Sequence, residues 1–467
     1  MHMMIVKAIA DGSGPDITGR IVPMPAGSYH LCREDDRSWF EQRSDVFSFV
    51  TQRDDSLVPT AYKLDASGNV KGLAGPTTGY EIRLPMRCTD DKLRRTKSKI
   101  AKAHAAPVNI LVVGHSVVSG AYANDATASA DATWQMSGFV GVMRRYFDAV
   151  YGSVSPGALF PAENSATNFT LGGGATITGG NLSDGPGGWR VNLNNSAYTC
   201  SVTGTGKTLR VYGFSTASGA QARYTLDGGS LTNAATTSSG AMPNGNYWYV
   251  FDIDLGTNDS HTVVLTGPAS GNYYVYGVQF LSDTTKGVVC HRAGWSGKVI
   301  TDLIALSLDG TDTAGPAWRT TLNANQKTEQ HQSITTKMGV DLMVVMTDVN
   351  DLTGGWTNYA YTLADIQRHL QNLVTVNSAA NVDTLLVCGP WRNPSSYGSG
   401  VPFTQSEVIA QYKAVADAND RCDFLNLAAN WDDYTDMDSA GLMHDSVHPS
   451  SLGHAVLGRK LAEFIML

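Results

Sequence analysis

The stretch VNILVVGHSVVSG, residues 108–120, joins a compact apolar run to a glycine-bounded turn. Continuous apolar runs of this kind, without alternating polar residues, are typical of strands buried on both faces of a parallel sheet. The Gly-His-Ser that follows the run places Ser116 on the turn. The sequence therefore predicts a buried strand that ends at a hydroxyl-bearing turn.

Four further apolar runs have the same character: GVVC (287–290), VDLMVVM (340–346), VDTLLVC (382–388) and CDFLNLA (422–428). Helical segments are predicted between and beside them, over residues 134–150, 318–337, 362–374, 405–419 and 451–466. In the third of these, Thr362 and Asp365 can form a capping box. The alternation of strand and helix predicts a doubly wound α/β domain.

The composition changes near residue 155 and changes back near residue 285. The segment between is poor in charge and rich in glycine, with short β-branched and aromatic runs separated by turns. This pattern predicts an antiparallel β-sandwich, residues 155–285, inserted into an α/β domain made of residues 107–154 and 286–467. Residues 1–88 are predicted to form a small N-terminal β-rich region. Residues 89–106 are predicted to be a basic linker or helix, either solvated or facing a polyanion.

Composition and charge exclude several functions. The 467-residue chain has a net charge of −8, which disfavours nucleic acid as a partner. No uncharged apolar run reaches the length of a membrane helix, and the N-terminus does not resemble a signal peptide. Six scattered cysteines show no zinc-site spacing, so we expect neither a metal nor a cofactor.

Chemically useful residues follow the predicted strands. Ligands of open parallel sheets bind beyond the carboxyl ends of the strands. The groups found there are the hydroxyl of Ser116, the backbone N–H groups of Gly294 and Gly297, and the amide of Asn350. They are joined by an aromatic ring with a cation, Trp391 and Arg392, and by the pair of Asp445 and His448. Acyl transfer needs this set, because serine is a weak nucleophile until a base oriented by a carboxylate takes its proton.

On these residues, the sequence resembles the SGNH (GDSL-type) hydrolase superfamily. The matching blocks are Gly114-His115-Ser116, Gly297, Asp348-Val349-Asn350-Asp351 and Asp445-Ser446-Val447-His448-Pro449. The resemblance covers residues 107–154 and 286–467, and it implies a flavodoxin-like three-layer fold and ester hydrolysis through an acyl-enzyme. It implies Ser116 as nucleophile, His448 as base, Asp445 orienting the base, and an oxyanion hole of the Ser116 and Gly297 N–H groups with the Asn350 side chain. His115 and Asp348 depart from the family, which usually has Asp and Gly at these positions.

The predicted substrate is an acetylated polysaccharide. The inserted sandwich resembles carbohydrate-binding modules in its general pattern. Its aromatic residues are expected either to stack on sugars or to pack a core or an interface: Trp189, Tyr212, Tyr247, Trp248, Tyr249, Tyr273, Tyr274 and Tyr276. The predicted substrate contacts are Trp391, Arg392, Trp295 and Asp348, with a surface acid as the alternative partner of Arg392.

The first hypothesis is therefore a carbohydrate O-acetylesterase acting on a capsule, an O-antigen or a similar glycan. The alternatives are an esterase or lipase acting on small or lipid esters, and a non-catalytic glycan-binding or virion structural protein. The domain order also resembles phage tailspike and tail-fibre depolymerases, which implies a homotrimer in an extracellular or virion-associated location. The sequence leaves a cytoplasmic location open, and neither a membrane nor a nucleic acid is an expected partner.

Overall fold

The computed structural model of the chain contains two compact units, Met1–Arg87 with Ala429–Asp432, and Cys88–Ala428 with Asp433–Leu467. In the first unit the structure describes residues 429–432 and the backbone of residues 3–8, 12–15, 21–24, 29–33, 47–49, 63–64 and 70–72. In the second it describes residues 92–103, 105–123, 138–151, 157–158, 169–179, 189–215, 222–234, 238–241, 247–282, 287–294, 336, 338–352, 362–398, 401–428 and 433–466. Residues 179, 189, 214, 238–241 and 247–249 are described by their backbone alone.

The described residues of the first unit form seven short strands: β1 (Met3–Ala8), β2 (Gly12–Pro15), β3 (Ile21–Met24), β4 (Tyr29–Arg33), β5 (Phe47–Phe49), β6 (Lys63–Leu64) and β7 (Val70–Gly72). The order β4-β1-β5 forms one antiparallel sheet, and β2-β3 and β6-β7 form two antiparallel pairs.

The second unit begins with α1 (Arg94–Ile100), β8 (Pro107–Gly114), α2 (Ser116–Ser119) and α3 (Phe139–Tyr151). Helix α1 lies in the basic segment predicted as a linker or helix. Its Thr96 is buried and donates its backbone N–H to Oδ2 of Asp383 at 3.0 Å. Its Lys99 pairs with Asp341. The segment is therefore packed against the α/β domain rather than fully solvated.

The middle of the chain forms two antiparallel sheets. Their strands are β9 (Thr170–Gly172), β10 (Thr176–Gly179), β11 (Trp189–Leu193), β12 (Thr199–Thr205), β13 (Thr208–Ser215), β14 (Arg223–Leu226), β15 (Thr232–Asn233), β16 (Ser238–Ala241), β17 (Tyr247–Asp254), β18 (Ser260–Thr266) and β19 (Tyr273–Leu281). One sheet has the order β10-β11-β19-β13-β17-β16 and the other β15-β14-β18-β12-β9. Side chains of both sheets, among them Val211 and Val263, share one hydrophobic cluster.

The aromatic residues of β13 and β19 follow the second of the two expectations, packing in a core. Because side chains alternate across a sheet, Tyr273 enters the cluster shared by the two sheets, and Tyr274 enters a different cluster that includes α/β-domain residues. Tyr212, Tyr273, Tyr274 and Tyr276 are at most 8% exposed, so they pack cores and are not available to stack on sugars. The side chains of Trp189, Tyr247, Trp248 and Tyr249 lie outside the described residues.

The remaining elements complete the α/β domain. They are β20 (Gly287–Gly294), β21 (Leu342–Met346), α4 (Asp348–Asp351), α5 (Leu363–Ala379), β22 (Asp383–Cys388), a 3₁₀ turn (Pro394–Ser396), α6 (Gln405–Asp417), β23 (Cys422–Asn426), α7 (Tyr434–Ser439) and α8 (Ser451–Met466). The five strands of the order β20-β8-β21-β22-β23 are all parallel, which confirms the predicted parallel sheet. Most of the predicted helix 318–337 lies outside the described residues.

Helices cover both faces of the parallel sheet. Ile110 and Val112 of β8 pack with residues of α3 and α8 such as Phe139 and Leu457. Leu111 and Val113, on the opposite face, share a cluster with residues of α5 and α6. Burial on both faces explains the continuous apolar runs, because neither set of alternate positions faces water. The predicted capping box at Thr362 and Asp365 is present and fixes the start of α5.

Candidate active site

Ser116 is the first residue of α2, directly beyond the carboxyl end of β8. The strand reaches this turn through Gly114, where a Cβ atom would lie 2.3 Å from the Met346 carbonyl oxygen of the neighbouring strand. Only glycine fits such a close approach of two backbones. The side chain of Ser116 is 6% exposed, so its hydroxyl sits in a sheltered place at the strand ends.

Three predicted side chains form one hydrogen-bonded relay. Oγ of Ser116 lies 2.9 Å from Nε2 of His448, and Nδ1 of His448 lies 2.9 Å from Oδ2 of Asp445. A carboxylate can only accept, so Nδ1 carries the proton and Nε2 presents its lone pair to the serine hydroxyl. This is the arrangement in which imidazole can take the serine proton.

The loop before α8 holds the Asp–His pair in this geometry. The backbone N–H of His444 donates to the carbonyl oxygen of His448 at 2.9 Å, and Met443 pairs with Pro449 as an antiparallel bridge. Within this closed turn, Oδ1 of Asp445 accepts the backbone N–H groups of Val447 and His448, both at 2.7 Å. The carboxylate is therefore fixed by the backbone as well as by the imidazole.

These bonds also determine the charge of Asp445. Partial burial alone would raise its pKa, but hydrogen bonds from the imidazole and from two backbone N–H groups outweigh burial and lower the pKa to about 2. The carboxylate thus remains ionised at neutral pH and can stabilise an imidazolium at His448.

The predicted oxyanion donors are only partly described. Asn350 lies in α4, directly after β21, and is 5% exposed. The carboxyl ends of β8 and β21 are neighbours, since Gly114 pairs with Met346. Asn350 and the N–H of Ser116 therefore start from adjacent strand ends. Gly297 and Trp295 lie outside the described residues.

His115 takes the place of the usual aspartate as the N-cap of α2. Its Nδ1 accepts the backbone N–H of Val117 at 3.2 Å, the bond that a capping carboxylate would otherwise accept. The ring is fully buried, and its Nε2 has no hydrogen-bond partner among the described residues. Burial, followed by the nearby charges of His448 and Arg392, lowers its pKa to about 3. The imidazole is therefore neutral and acts as an uncharged cap.

Asp348 is not a substrate contact, contrary to the prediction. The residue is 0% exposed, and its Oδ2 accepts the backbone N–H of Gly389 at 3.0 Å and Nε2 of Gln405 at 2.9 Å. Burial raises its pKa to about 7, against the opposing effect of these hydrogen bonds. Asp348 thus ties the end of β21 to the segment after β22 and to α6.

Arg392 also makes internal hydrogen bonds instead of the predicted substrate contact or surface ion pair. The residue is 7% exposed. Its Nη1 donates to the carbonyl oxygen of Val349 at 2.8 Å, its Nε donates to Oγ of Ser396 at 3.0 Å, and its Nη2 donates to the Ser396 carbonyl. These bonds fasten α4, which carries Asn350, to the 3₁₀ turn. Trp391 is partly exposed and stays a predicted substrate contact.

Tyr122 and His444 lie beside the relay and were not predicted from the sequence. The rings of Tyr122 and His444 stack with centroids 4.1 Å apart, and the Tyr122 ring lies 5.2 Å from that of His448. His444 directly precedes Asp445, which is the only sequence signal for its position. Tyr122 gives no such signal, because its place depends on how the chain leaves α2.

No helix in the described part of the chain combines the length and the apolar character that crossing a membrane requires.

Comparisons with known proteins relate part of the chain to a known family. Residues 259–456 match the GDSL-like lipase/acylhydrolase family, a match that includes Asn350, Asp445 and His448 and begins after the segment that carries Ser116. No curated protein matches the sequence.

Among solved structures, the chain is similar to a peptidoglycan O-acetylesterase, with a TM-score of 0.55, 14% identity, and coverage of 81% of this chain and 95% of that one. A carbohydrate esterase family 2 enzyme with a carbohydrate-binding domain, from Corynascus thermopiles (Myceliophthora fergusii), gives a TM-score of 0.29 at 14% identity, covering 62% and 98% of the two chains. A salicylyl-acyltransferase from a tetracycline biosynthetic pathway gives a TM-score of 0.29 at 11% identity, and the match covers 65% of this chain and 95% of that one. The similarity to the peptidoglycan O-acetylesterase is a similarity of fold. Together with the parallel α/β sheet, the match of residues 259–456 to the GDSL-like lipase/acylhydrolase family supports an SGNH hydrolase domain in this chain.

Proposed function

We propose that this protein is a serine esterase that removes O-acetyl groups from a polysaccharide. The observation that carries the proposal is the 2.9 Å hydrogen bond between Ser116 Oγ and His448 Nε2, with Asp445 on the other ring nitrogen. The hydroxyl, base and carboxylate are in the order that nucleophilic acyl transfer requires.

In the first step His448 takes the proton of Ser116 while Oγ attacks the acetyl carbonyl carbon. The carbonyl oxygen becomes an oxyanion. Its proposed hydrogen-bond donors are the Ser116 N–H, the Asn350 side chain and the N–H of Gly297. Each such donor contributes about 10²–10³ in rate in enzymes of this kind. His448 then gives its proton to the leaving sugar oxygen as the C–O bond breaks, which leaves acetyl-Ser116 and a free hydroxyl on the glycan.

The second step regenerates the enzyme. His448 takes a proton from water, the resulting hydroxide attacks the acetyl carbonyl, and the proton returns to Oγ of Ser116 as acetate leaves. Because Asp445 is ionised, it stabilises the imidazolium in both steps.

Two observations support a carbohydrate ester over a lipid ester. The chain shares its fold with a peptidoglycan O-acetylesterase over 81% of its length. The sequence of the inserted segment, residues 155–285, also resembles in its general pattern the carbohydrate-binding modules attached to polysaccharide esterases. We therefore propose a glycan-binding role for the inserted sandwich and an acetylated polysaccharide as the partner.

The proposed substrate also suggests where the protein acts and how it assembles. Capsules, O-antigens and similar glycans are exposed outside cells, so we propose an extracellular or virion-associated protein, with the homotrimer typical of tailspikes as its assembly. Sedimentation of the full chain tests this assembly: a trimer mass supports it, and a monomer mass contradicts it.

Acetate release tests the proposed reaction. The wild type should release acetate from para-nitrophenyl acetate and from an acetylated polysaccharide, and Ser116→Ala should release almost none from either. Ser446→Ala is the matched control, because it removes a half-buried hydroxyl from the turn that holds the Asp–His pair. Retained activity in Ser116→Ala would overturn the mechanism. Release from para-nitrophenyl acetate alone would keep the chemistry and reject the polysaccharide.

A further inference from the structure

The Tyr122–His444 pair is a ring surface that the proposed chemistry leaves unused. The two rings are nearly parallel, at 19°, and the Tyr122 ring is tilted by 51° against that of His448. His444 is exposed and Tyr122 is partly exposed. An accessible aromatic surface therefore lies directly beside the proposed catalytic base.

The backbone holds Tyr122 in a conformation that few residues adopt. Its φ is 61°, in the left-handed region, whereas both neighbours are buried, Ala121 at 2% and Ala123 at 3% exposure. The Ala121 carbonyl accepts from Nε2 of His454 at 2.8 Å, and the Ala123 carbonyl accepts from Oγ of Ser451 at 2.7 Å. Non-glycine residues keep such a φ only where their surroundings impose it, and they cluster at functional sites. Helix α8 thus fixes the peptide units on both sides of the Tyr122 ring.

The other ring is fixed by the turn that carries the base. The His444 N–H donates to the His448 carbonyl at 2.9 Å, so both residues flank one closed turn. The pair and the base therefore lie side by side, and a ligand that touches the pair is close to the His448 ring.

The reaction determines which half of the ester can reach this surface. His448 must return its proton to the leaving oxygen, so that oxygen lies within hydrogen-bond reach of Nε2, about 3 Å. The group bonded to the leaving oxygen is therefore next to the Tyr122 ring, on which His444 stacks, whereas the proposed place of the acetyl group is at Ser116 and Asn350. From this geometry we infer that the Tyr122–His444 pair binds the alcohol half of the ester, and that this half is a sugar ring.

The chemistry of the two rings fits a sugar better than an alkyl alcohol. A pyranose offers an apolar face of C–H groups and an edge of hydroxyls. Tyrosine and histidine each combine a flat apolar body with a polar tip, so they can cover the face and hydrogen-bond the edge. This inference rests on the proposed esterase function and specifies the leaving group of that reaction.

The test compares two kinds of acetyl ester that differ in the alcohol. The sugar esters are mono-O-acetylated methyl glucosides and mono-O-acetylated methyl N-acetylglucosaminides, and the alkyl ester is ethyl acetate. Tyr122→Asn removes the ring and suits the left-handed backbone, and His444→Asn removes the second ring. We expect each to lower the ratio of kcat/KM for the sugar ester over ethyl acetate by about tenfold, the upper range for a lost aromatic contact. Tyr122→Phe and His444→Tyr keep a ring and should retain most of this ratio.

The possible results separate this inference from the esterase proposal. An unchanged ratio, with both esters slowed and a shifted pH profile on ethyl acetate, would show that the pair only braces His448 and would overturn the inference. Hydrolysis of ethyl acetate without any acetylated glycoside would overturn the sugar assignment and keep the serine mechanism. A wild type inactive on every ester would overturn the proposed function, and this inference with it.

Discussion

Oγ of Ser116 and Nε2 of His448 lie 2.9 Å apart, although 332 positions separate the two residues in the sequence. The serine is placed by a strand end and a helix cap, and the histidine by a closed turn before α8. The hydrogen bond between them depends on both supports. Changes to the supporting groups should therefore alter the rate of ester hydrolysis before they disrupt the fold.

Asp445→Asn should abolish most activity while the protein stays folded. An amide can donate to Nδ1 of His448, which favours the tautomer with the proton on Nε2, where the serine hydroxyl needs an acceptor. We expect kcat to fall by about 10⁴. The control is Asp417→Asn, an exposed aspartate paired with Lys413, which should keep wild-type kcat. Full activity in Asp445→Asn would remove the carboxylate from the mechanism.

His115→Asn should preserve both stability and activity. The asparagine oxygen can accept the Val117 N–H as an N-cap, whereas His115→Ala leaves that donor without its partner. We expect His115→Ala to lose about 1 kcal/mol or more of unfolding free energy and part of its activity. Urea unfolding and ester hydrolysis measure the two effects. Equal stability of the Ala and Asn variants would show that the cap has no energetic role.

Asp348 should make the protein less stable as the pH rises. Its folded pKa is raised to about 7 from an ordinary value near 4, so between these values the folded state binds a proton that the unfolded state releases. Stability from this group is fully present below about pH 4 and is lost as the pH approaches 7, at about 1.4 kcal/mol per pH unit.

Asp348→Asn provides the comparison, because its amide resembles the protonated carboxyl. Urea unfolding at pH 5 and at pH 8 should show the wild type losing stability relative to the variant by roughly 2–3 kcal/mol. A difference between wild type and variant that stays constant across this range would contradict the raised pKa.

Gly114→Ala should prevent the nucleophile turn from forming. The added Cβ would lie 2.3 Å from the Met346 carbonyl oxygen, a backbone atom that cannot move without breaking the β8–β21 ladder. We expect a loss of about 3 kcal/mol in unfolding free energy, the upper end of the usual range for overpacked cores. A variant with wild-type Tm and activity would show that the two strands separate easily here.

The sequence predicts the parallel sheet well and the surroundings of the site poorly. Five buried strands are recognisable because burial on both faces leaves uninterrupted apolar runs, and Ser116, Asp445 and His448 are recognisable because they follow strand ends. Asp348 and Arg392 also follow strand ends, yet Asp348 bonds to Gly389 and to α6, and Arg392 bonds to α4 and the 3₁₀ turn. Position at a strand end does not determine which way a side chain points.

Tyr212 and Tyr274 illustrate a second limit. Their alternation with Val211 and Tyr273 shows that they occupy the opposite face of the sheet, but only the folded unit shows that the α/β domain covers that face. Tyr122 is invisible in the sequence for the same reason, since its contact with His444 exists only once α2 and α8 are packed together.

Covalent labelling tests the central claim most directly. The protein is incubated with diisopropyl fluorophosphate, which phosphorylates activated serine hydroxyls, and the modified peptide is located by mass spectrometry. The mechanism predicts one phosphoryl adduct, on Ser116, formed rapidly in the wild type and very slowly in His448→Ala. An adduct at another serine, or equal labelling of Ser116 in His448→Ala, would contradict activation of Ser116 by His448.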